Sequence, residues 1–105
     1  YKARDTESII LGLRGLLNHA PDDSELHGEL AIVLLRIGRL EDALIHSRMA
    51  VKFNPDSARL HVTQGAVMLA MARNLEAAAS YRKALELDPN SESAQRALEH
   101  PLKNY

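Results

Sequence analysis

Histidine, aspartate, glutamate and serine are the residues through which this chain could do chemistry, because it contains no cysteine. Thiolate nucleophiles, disulfides and cysteine metal sites are therefore excluded. The five histidines are His19, His27, His46, His61 and His100. None makes a His-x-x-x-His pair or a Glu-x-x-His ligand set. His27 and His61 occupy matching places in a repeat, so they could lie near each other across adjacent helices. One reading makes them a metal or pH-sensing pair. The other makes them medium-sized, partly buried packers in a helix seam, and the usual burial of histidine favours that reading. No catalytic residue, metal ligand or cofactor is expected. No nucleophile motif surrounds any serine. The carboxylate pairs Asp22-Asp23 and Glu41-Asp42 fall at helix starts, where they complement the helix dipole. Arg39 recurs as Arg73 and Arg48 as Arg82, a row that could grip an acidic partner. Nearby Glu41, Asp42, Glu76 and Glu86 can neutralise it, and a solvated face is the favoured reading.

The elements that must position these residues are read from a repeat. Pro21, Pro55 and Pro89 are spaced 34 residues apart. Laying residues 24–57 over 58–91 gives ten identities, among them Leu26/Leu60, His27/His61, Ala43/Ala77, Ala50/Ala84 and Ser57/Ser91. Ordinary composition would give roughly two or three. Such a period marks a helical repeat array. Within a unit the apolar spacing is helical: Leu26, Leu30, Val33, Leu34 and Ile37, then Ala43, Leu44, Ala50 and Val51. Gly38 separates the two helices, Asn54-Pro55 stops the second, and Asp56 or Ser57 can cap the next. The pattern predicts helices over about 6–19, 24–37, 40–53, 58–72, 75–87 and 91–99. "NLEAAASY" against "LEDALIHS" suggests a one-residue slip in the second unit's turn.

Length bounds the answer to one domain over 1–105. Its expected parts are a partial repeat's second helix (6–23), repeats at 24–57 and 58–91, a capping helix (91–99) and a tail (100–105). A net charge of −1 argues against nucleic-acid binding. No apolar run approaches the ~18 residues of a membrane span, so no direct membrane insertion is expected. The chain starts at Tyr1 rather than Met, which suggests a piece of something longer.

On these residues the chain resembles the tetratricopeptide repeat family. That family's pattern is Trp-x2-Leu-Gly-x2-Tyr, then Ala-x3-Phe, Ala and Pro. The first unit has His27-x2-Leu30-Ala31-x2-Leu34, Ala43-x3-Ser47, Ala50 and Pro55. The second has His61-x2-Gln64-Gly65-x2-Met68, Ala77-x3-Tyr81, Ala84 and Pro89. His27, His61 and Ser47 depart from the family's aromatics. The resemblance implies an all-α fold of antiparallel helix pairs stacked as a right-handed α-solenoid. It also implies a non-catalytic protein-interaction or scaffold module with a protein or peptide partner. The alternative is an accessory or self-assembly segment of a larger enzyme or complex.

Helical spacing and the family's groove pattern place Gly28, Ile32, Leu35 and Arg36, then Val62, Ala66 and Leu69, on the concave surface. Glu25, Glu29, Arg59 and Thr63 form its polar rim. Such a surface suits an amphipathic helix or an apolar peptide. Some family members hold acidic chaperone C-termini in a Lys/Asn/Arg carboxylate clamp. Gly28, Ile32 and Thr63 stand at the matching places, and Glu25 and Glu29 carry the wrong sign. No useful binding of such a peptide is expected. Finally, Ile9, Ile10, Leu13 and Leu17 give the first helix an apolar face that expects a cover, either an upstream helix or a second copy in a homo-oligomer.

Overall fold

The computed structural model describes residues 3–105, with side chains from Asp5 onward. Tyr1 and Lys2 of the expected domain lie outside the described residues. The helices are α1 (Ala3–His19), α2 (Ser24–Arg36), α3 (Leu40–Phe53), α4 (Ala58–Ala70), α5 (Asn74–Leu87) and α6 (Glu92–Glu99). The described residues contain no strand. The fold is an all-α helical repeat: α2 pairs with α3, α4 pairs with α5, and the pairs stack through α3 on α4 and α2 on α4. α1 packs on α2, and α6 packs on α5.

The recurring sequence punctuation has a recurring structure. Asp23, Ser57 and Ser91 each accept a backbone N–H three residues on, from Leu26 (3.1 Å), Leu60 (3.3 Å) and Ala94 (3.5 Å). Each satisfies an orphan donor of a helix start, worth about 1 kcal/mol. Six residues after each proline, a side-chain nitrogen meets the proline carbonyl. His27 Nε2 lies 2.8 Å from Pro21 O, His61 Nε2 lies 2.7 Å from Pro55 O, and Gln95 Nε2 donates to Pro89 O at 2.7 Å. A carbonyl only accepts, so both histidines carry their proton on Nε2. His27 and His61 therefore tie each first helix to the turn before it.

The turns inside the units also match. In the first, Gly38 N–H bonds to Leu35 O and Arg39 N–H to Leu34 O. In the second, Ala72 N–H bonds to Leu69 O and Arg73 N–H to Met68 O. Both are Schellman stops, which need one left-handed residue. Gly38 (φ 80°) and Ala72 (φ 58°) supply it. The slip suggested by "NLEAAASY" does not occur, because α3 and α5 begin one repeat length apart, at Leu40 and Asn74. The left-handed position accepts Ala at some strain, so the frame survives the loss of glycine.

The core runs through Leu30, Leu34, Leu60 and Val67, all fully buried, with Ala31, Ala43, Ala50, Ala77 and Ala84 where helices cross. Each buried large aliphatic contributes about 1.5–3 kcal/mol relative to exposure. Ile10 and Leu17 of α1 are only 1% and 8% exposed and belong to this core. They cannot form a self-association face. Ile10, Leu13 and Leu17, spaced by three and four, share the face of α1 that packs into the core cluster, and α1 packs on α2. The solvent side of α1 carries Ile9, Leu11 and Leu16 instead. Residues 100–105 are not a loose tail. Leu102 is fully buried, and Asn74 Nδ2 donates to Tyr105 Oη at 3.1 Å.

Candidate functional site

The candidate site is the face shared by α2 and α4, the first helices of the two units. Ile32 and Ala66 hold equivalent positions on it and are half-buried. Leu35, Val62 and Leu69 are also half-buried, and each packs partly against the core. Helical spacing puts Ile32 and Leu35 on one stripe of α2 and Val62, Ala66 and Leu69 on one stripe of α4. The Arg59 guanidinium donates to the Glu25 carboxylate across the α2–α4 seam. Both side chains are about half exposed, so the pair adds little stability. Its consequence is electrostatic: the rim cation is already neutralised. Glu29 stays exposed on the same side.

Three residues expected in the groove lie elsewhere. Gly28 is buried, and a Cβ there would stand 2.7 Å from Leu60 Cδ2. It is a helix-crossing contact, with no surface left for a ligand. Thr63 is buried too, and its hydroxyl donates to the Arg59 carbonyl at 3.2 Å within α4. A helical threonine bonding back to position i−4 presents no rim polarity. Arg36 is exposed but lines a small depression with Thr6 of α1, Val33 and Ile37, on the α1 side of α2. Helical spacing gave the correct helices here. It missed which side of each helix a neighbour takes.

The arginine rows are engaged within the chain, with Glu76 shared by Arg48 and Arg73. Arg39 pairs with Asp42 at 2.9 Å and Arg73 with Glu76 at 2.8 Å. Arg48 reaches Glu76 at 3.9 Å, and Arg82 donates to the Tyr105 carbonyl. An open depression of about 380 Å³ lies beside the α4–α5 turn, lined by Ala72, Arg73, Asn74, Leu75, Glu76 and Tyr105.

The histidines are arranged differently from the sequence expectation. His27 does not pair with His61. Its Nδ1 lies 3.1 Å from Nδ1 of His46 on α3. His27 holds its proton on Nε2, so its Nδ1 accepts and the His46 Nδ1–H donates. Phe53 stacks beside the His27 ring, with centroids 5.7 Å apart. The pair edges an open depression of about 330 Å³ with Arg14, Leu17, Asn18, Pro21 and Met49. Burial, then the neighbouring His27 and Arg14, hold His46 below the usual histidine pKa, and Asp42 partly opposes them. No sequence signal pointed to this contact, since residues 27 and 46 sit on different helices without a motif spacing.

The stacked helix pairs, their caps and the α2–α4 face define a tetratricopeptide-repeat fold. The Arabidopsis OM64 TPR domain superposes with a TM-score of 0.89 at 20% identity, covering 98% of this chain and 84% of that one. The first TPR of Spaghetti (RPAP3), bound to the HSP90 peptide SRMEEVD, gives 0.87 at 23% identity, covering 93% and 78%. The second TPR domain of human RPAP3, in complex with the HSP70 peptide SGPTIEEVD, gives 0.87 at 18% identity, covering 99% and 86%. No protein-family model matches the chain. No curated protein matches it in sequence. At these identities the likeness establishes the fold.

Proposed function

We propose that this chain is a non-catalytic protein-interaction module that binds an apolar peptide or amphipathic helix on the α2–α4 face. The observation that carries this is the partial exposure of Ile32, Val62, Ala66, Leu35 and Leu69 at helical spacing on α2 and α4, with Leu35, Val62 and Leu69 packed against the core. Peptide binding by the two RPAP3 domains supports a peptide role for the same fold. The chemistry of these stripes argues for a different peptide. An acidic chain end needs free cations, and here Arg59 is bound to Glu25 while Glu29 repels. Apolar anchors at helical spacing fit them instead. A peptide selection on the purified protein should return amphipathic, apolar sequences, and SRMEEVD should not bind by calorimetry. Ile32→Glu with Ala66→Glu should abolish binding of the selected peptide and keep the helical circular dichroism. Unchanged affinity in a folded double variant sinks the groove assignment.

A second reading, as an accessory or self-assembly segment of a larger protein, is favoured by α1. Leu11 and Leu16 are 67% and 55% exposed, and Ile9 is partly exposed. Ile9 and Leu16 correspond, one repeat earlier, to Ala43 and Ala50 of α3, which are fully buried in the core that α2 shares. A helix that covers α1 in the same manner, from a second copy or from another segment, would bury these residues. Sedimentation should show concentration-dependent dimerisation that Leu11→Glu with Leu16→Glu removes. A monomer at hundreds of micromolar (a range in which weak contacts register) counts against the homo-oligomer.

A further inference from the structure

We propose that His27 and His46 form a two-ligand site for a divalent late transition-metal ion, copper(II) first, at the edge of the open depression between α1, α2 and α3. The two Nδ1 atoms converge to 3.1 Å from different helices. With metal–nitrogen bonds of about 2.0–2.1 Å, that separation subtends roughly 95–100° at the ion, between square-planar and tetrahedral values. His27 is oriented in advance. Its Nε2–H is spent on the Pro21 carbonyl at 2.8 Å, which fixes the tautomer that exposes Nδ1. Metal-bound histidines are held in this way by a backbone carbonyl or carboxylate. His46 is only half-buried, so its ring can swing to present the Nδ1 lone pair in place of the N–H, beside the Nδ1 that His27 already holds on the edge of the depression.

Proton accounting is simple. His46 gives up the Nδ1 proton that now bridges the pair and takes one on Nε2, so both rings remain neutral and no proton is released. No third His, Asp or Glu joins the pair among the described residues. Water therefore completes the coordination, and the depression of about 330 Å³ has room for it. Met49 lines the same depression and offers a soft thioether. Arg14 opposes a cation there, and Asp42, one turn before His46, offsets it. Imidazole suits copper, nickel and zinc, with copper(II) bound most strongly.

The chain itself supplies the substitutions that test this. Gln95 does for the last turn what His27 does for the first, so His27→Gln keeps a donor for the Pro21 carbonyl and removes the ligand. Ser80 stands where the second unit lacks His46, so His46→Ser copies a native solution. His61→Gln is the control. Tag-free protein is titrated with copper(II) and zinc(II) salts by calorimetry at neutral pH, with thermal melts to confirm folding. The wild type and His61→Gln should bind one copper ion per chain and broaden the His27 and His46 ring resonances. His27→Gln and His46→Ser should each weaken binding about tenfold or more. Absence of stoichiometric binding in the wild type overturns the site, and so does binding that survives both ligand substitutions.

Discussion

The two repeats solve one packing problem with different residues. In residues 24–57, the crossing of α2 and α3 is made by Ala31 and Ser47. In residues 58–91, the equivalent places hold Gly65 and Tyr81. Tyr81 is 5% exposed, and a Cβ on Gly65 would come within 2.9–3.0 Å of its ring. The missing methyl makes room for the ring, and the ring fills what Ser47 leaves small in the first unit. The lesson is that a large ring on one helix requires a bare backbone on the helix it crosses, whereas two small residues need no such exchange. The buried serines of the two units find different partners: Ser47 Oγ donates to the Leu44 carbonyl at 3.0 Å, and Ser80 Oγ contacts Met68 Sδ at 3.7 Å.

The largest effect comes from breaking that exchange. Tyr81→Ser should cost about 3–5 kcal/mol, because the ring is buried and Gly65 cannot collapse into the space. Gly65→Ala alone should cost about 1–3 kcal/mol by overpacking against the ring. The double variant recreates the Ala/Ser pair of the first unit, so the methyl added at position 65 no longer meets a ring. Urea melts should show it less destabilised than the sum of the singles. Strict additivity would mean that the two positions do not compensate each other.

A smaller effect sharpens the comparison at the turns. Gly38 adopts φ 80° freely, whereas Ala72 holds φ 58° against its own Cβ. Ala72→Gly should raise stability by about 0.5–1 kcal/mol, and Gly38→Ala should lower it by about 1–2 kcal/mol. Opposite shifts in the urea midpoint at constant slope are the expected readout. Shifts of the same sign would place the strain elsewhere.

These turns also explain what the sequence could and could not disclose. Caps and stops are local: Asp23, Ser57 and Ser91 act on a backbone three residues away, so their spacing reads directly as helix starts. Three helix starts were legible for that reason, and the apolar period with Gly38 and the prolines marked the rest, within two or three residues even at α1, which begins at Ala3. Partnerships between helices are not local. Matching repeat positions suggested His27 with His61, yet each spends its Nε2 on its own proline carbonyl, and the contact of His27 is with His46. Gly28 gave the same difficulty, since a glycine on an apolar face reads as open room until Leu60 is found against it. Leu102 was hidden by its position after Pro101, where its N–H bonds to Ala97 O and its side chain is buried in the core.

The smallest effect is a pH dependence confined to the first unit. His46 faces His27, Arg14 and Asp42, and burial with the first two holds its folded pKa below the ordinary 6.5. The unfolded chain binds this proton at higher pH than the folded one. Stability from His46 is therefore fully present above about pH 6.5 and falls as the pH drops toward the depressed folded value. Below that value the loss is complete and the contribution levels off. The second unit has Ser80 at this place, and a serine hydroxyl does not titrate in this range. His46→Ser should make the first unit resemble the second. Melts of wild type and variant between about pH 8 and pH 5 (a span bracketing the usual histidine range) isolate the difference, because the carboxylates are common to both. The wild type should lose more stability than the variant over the acid half of that span. Parallel curves would mean that the His27–His46 contact does not shift the His46 proton in solution.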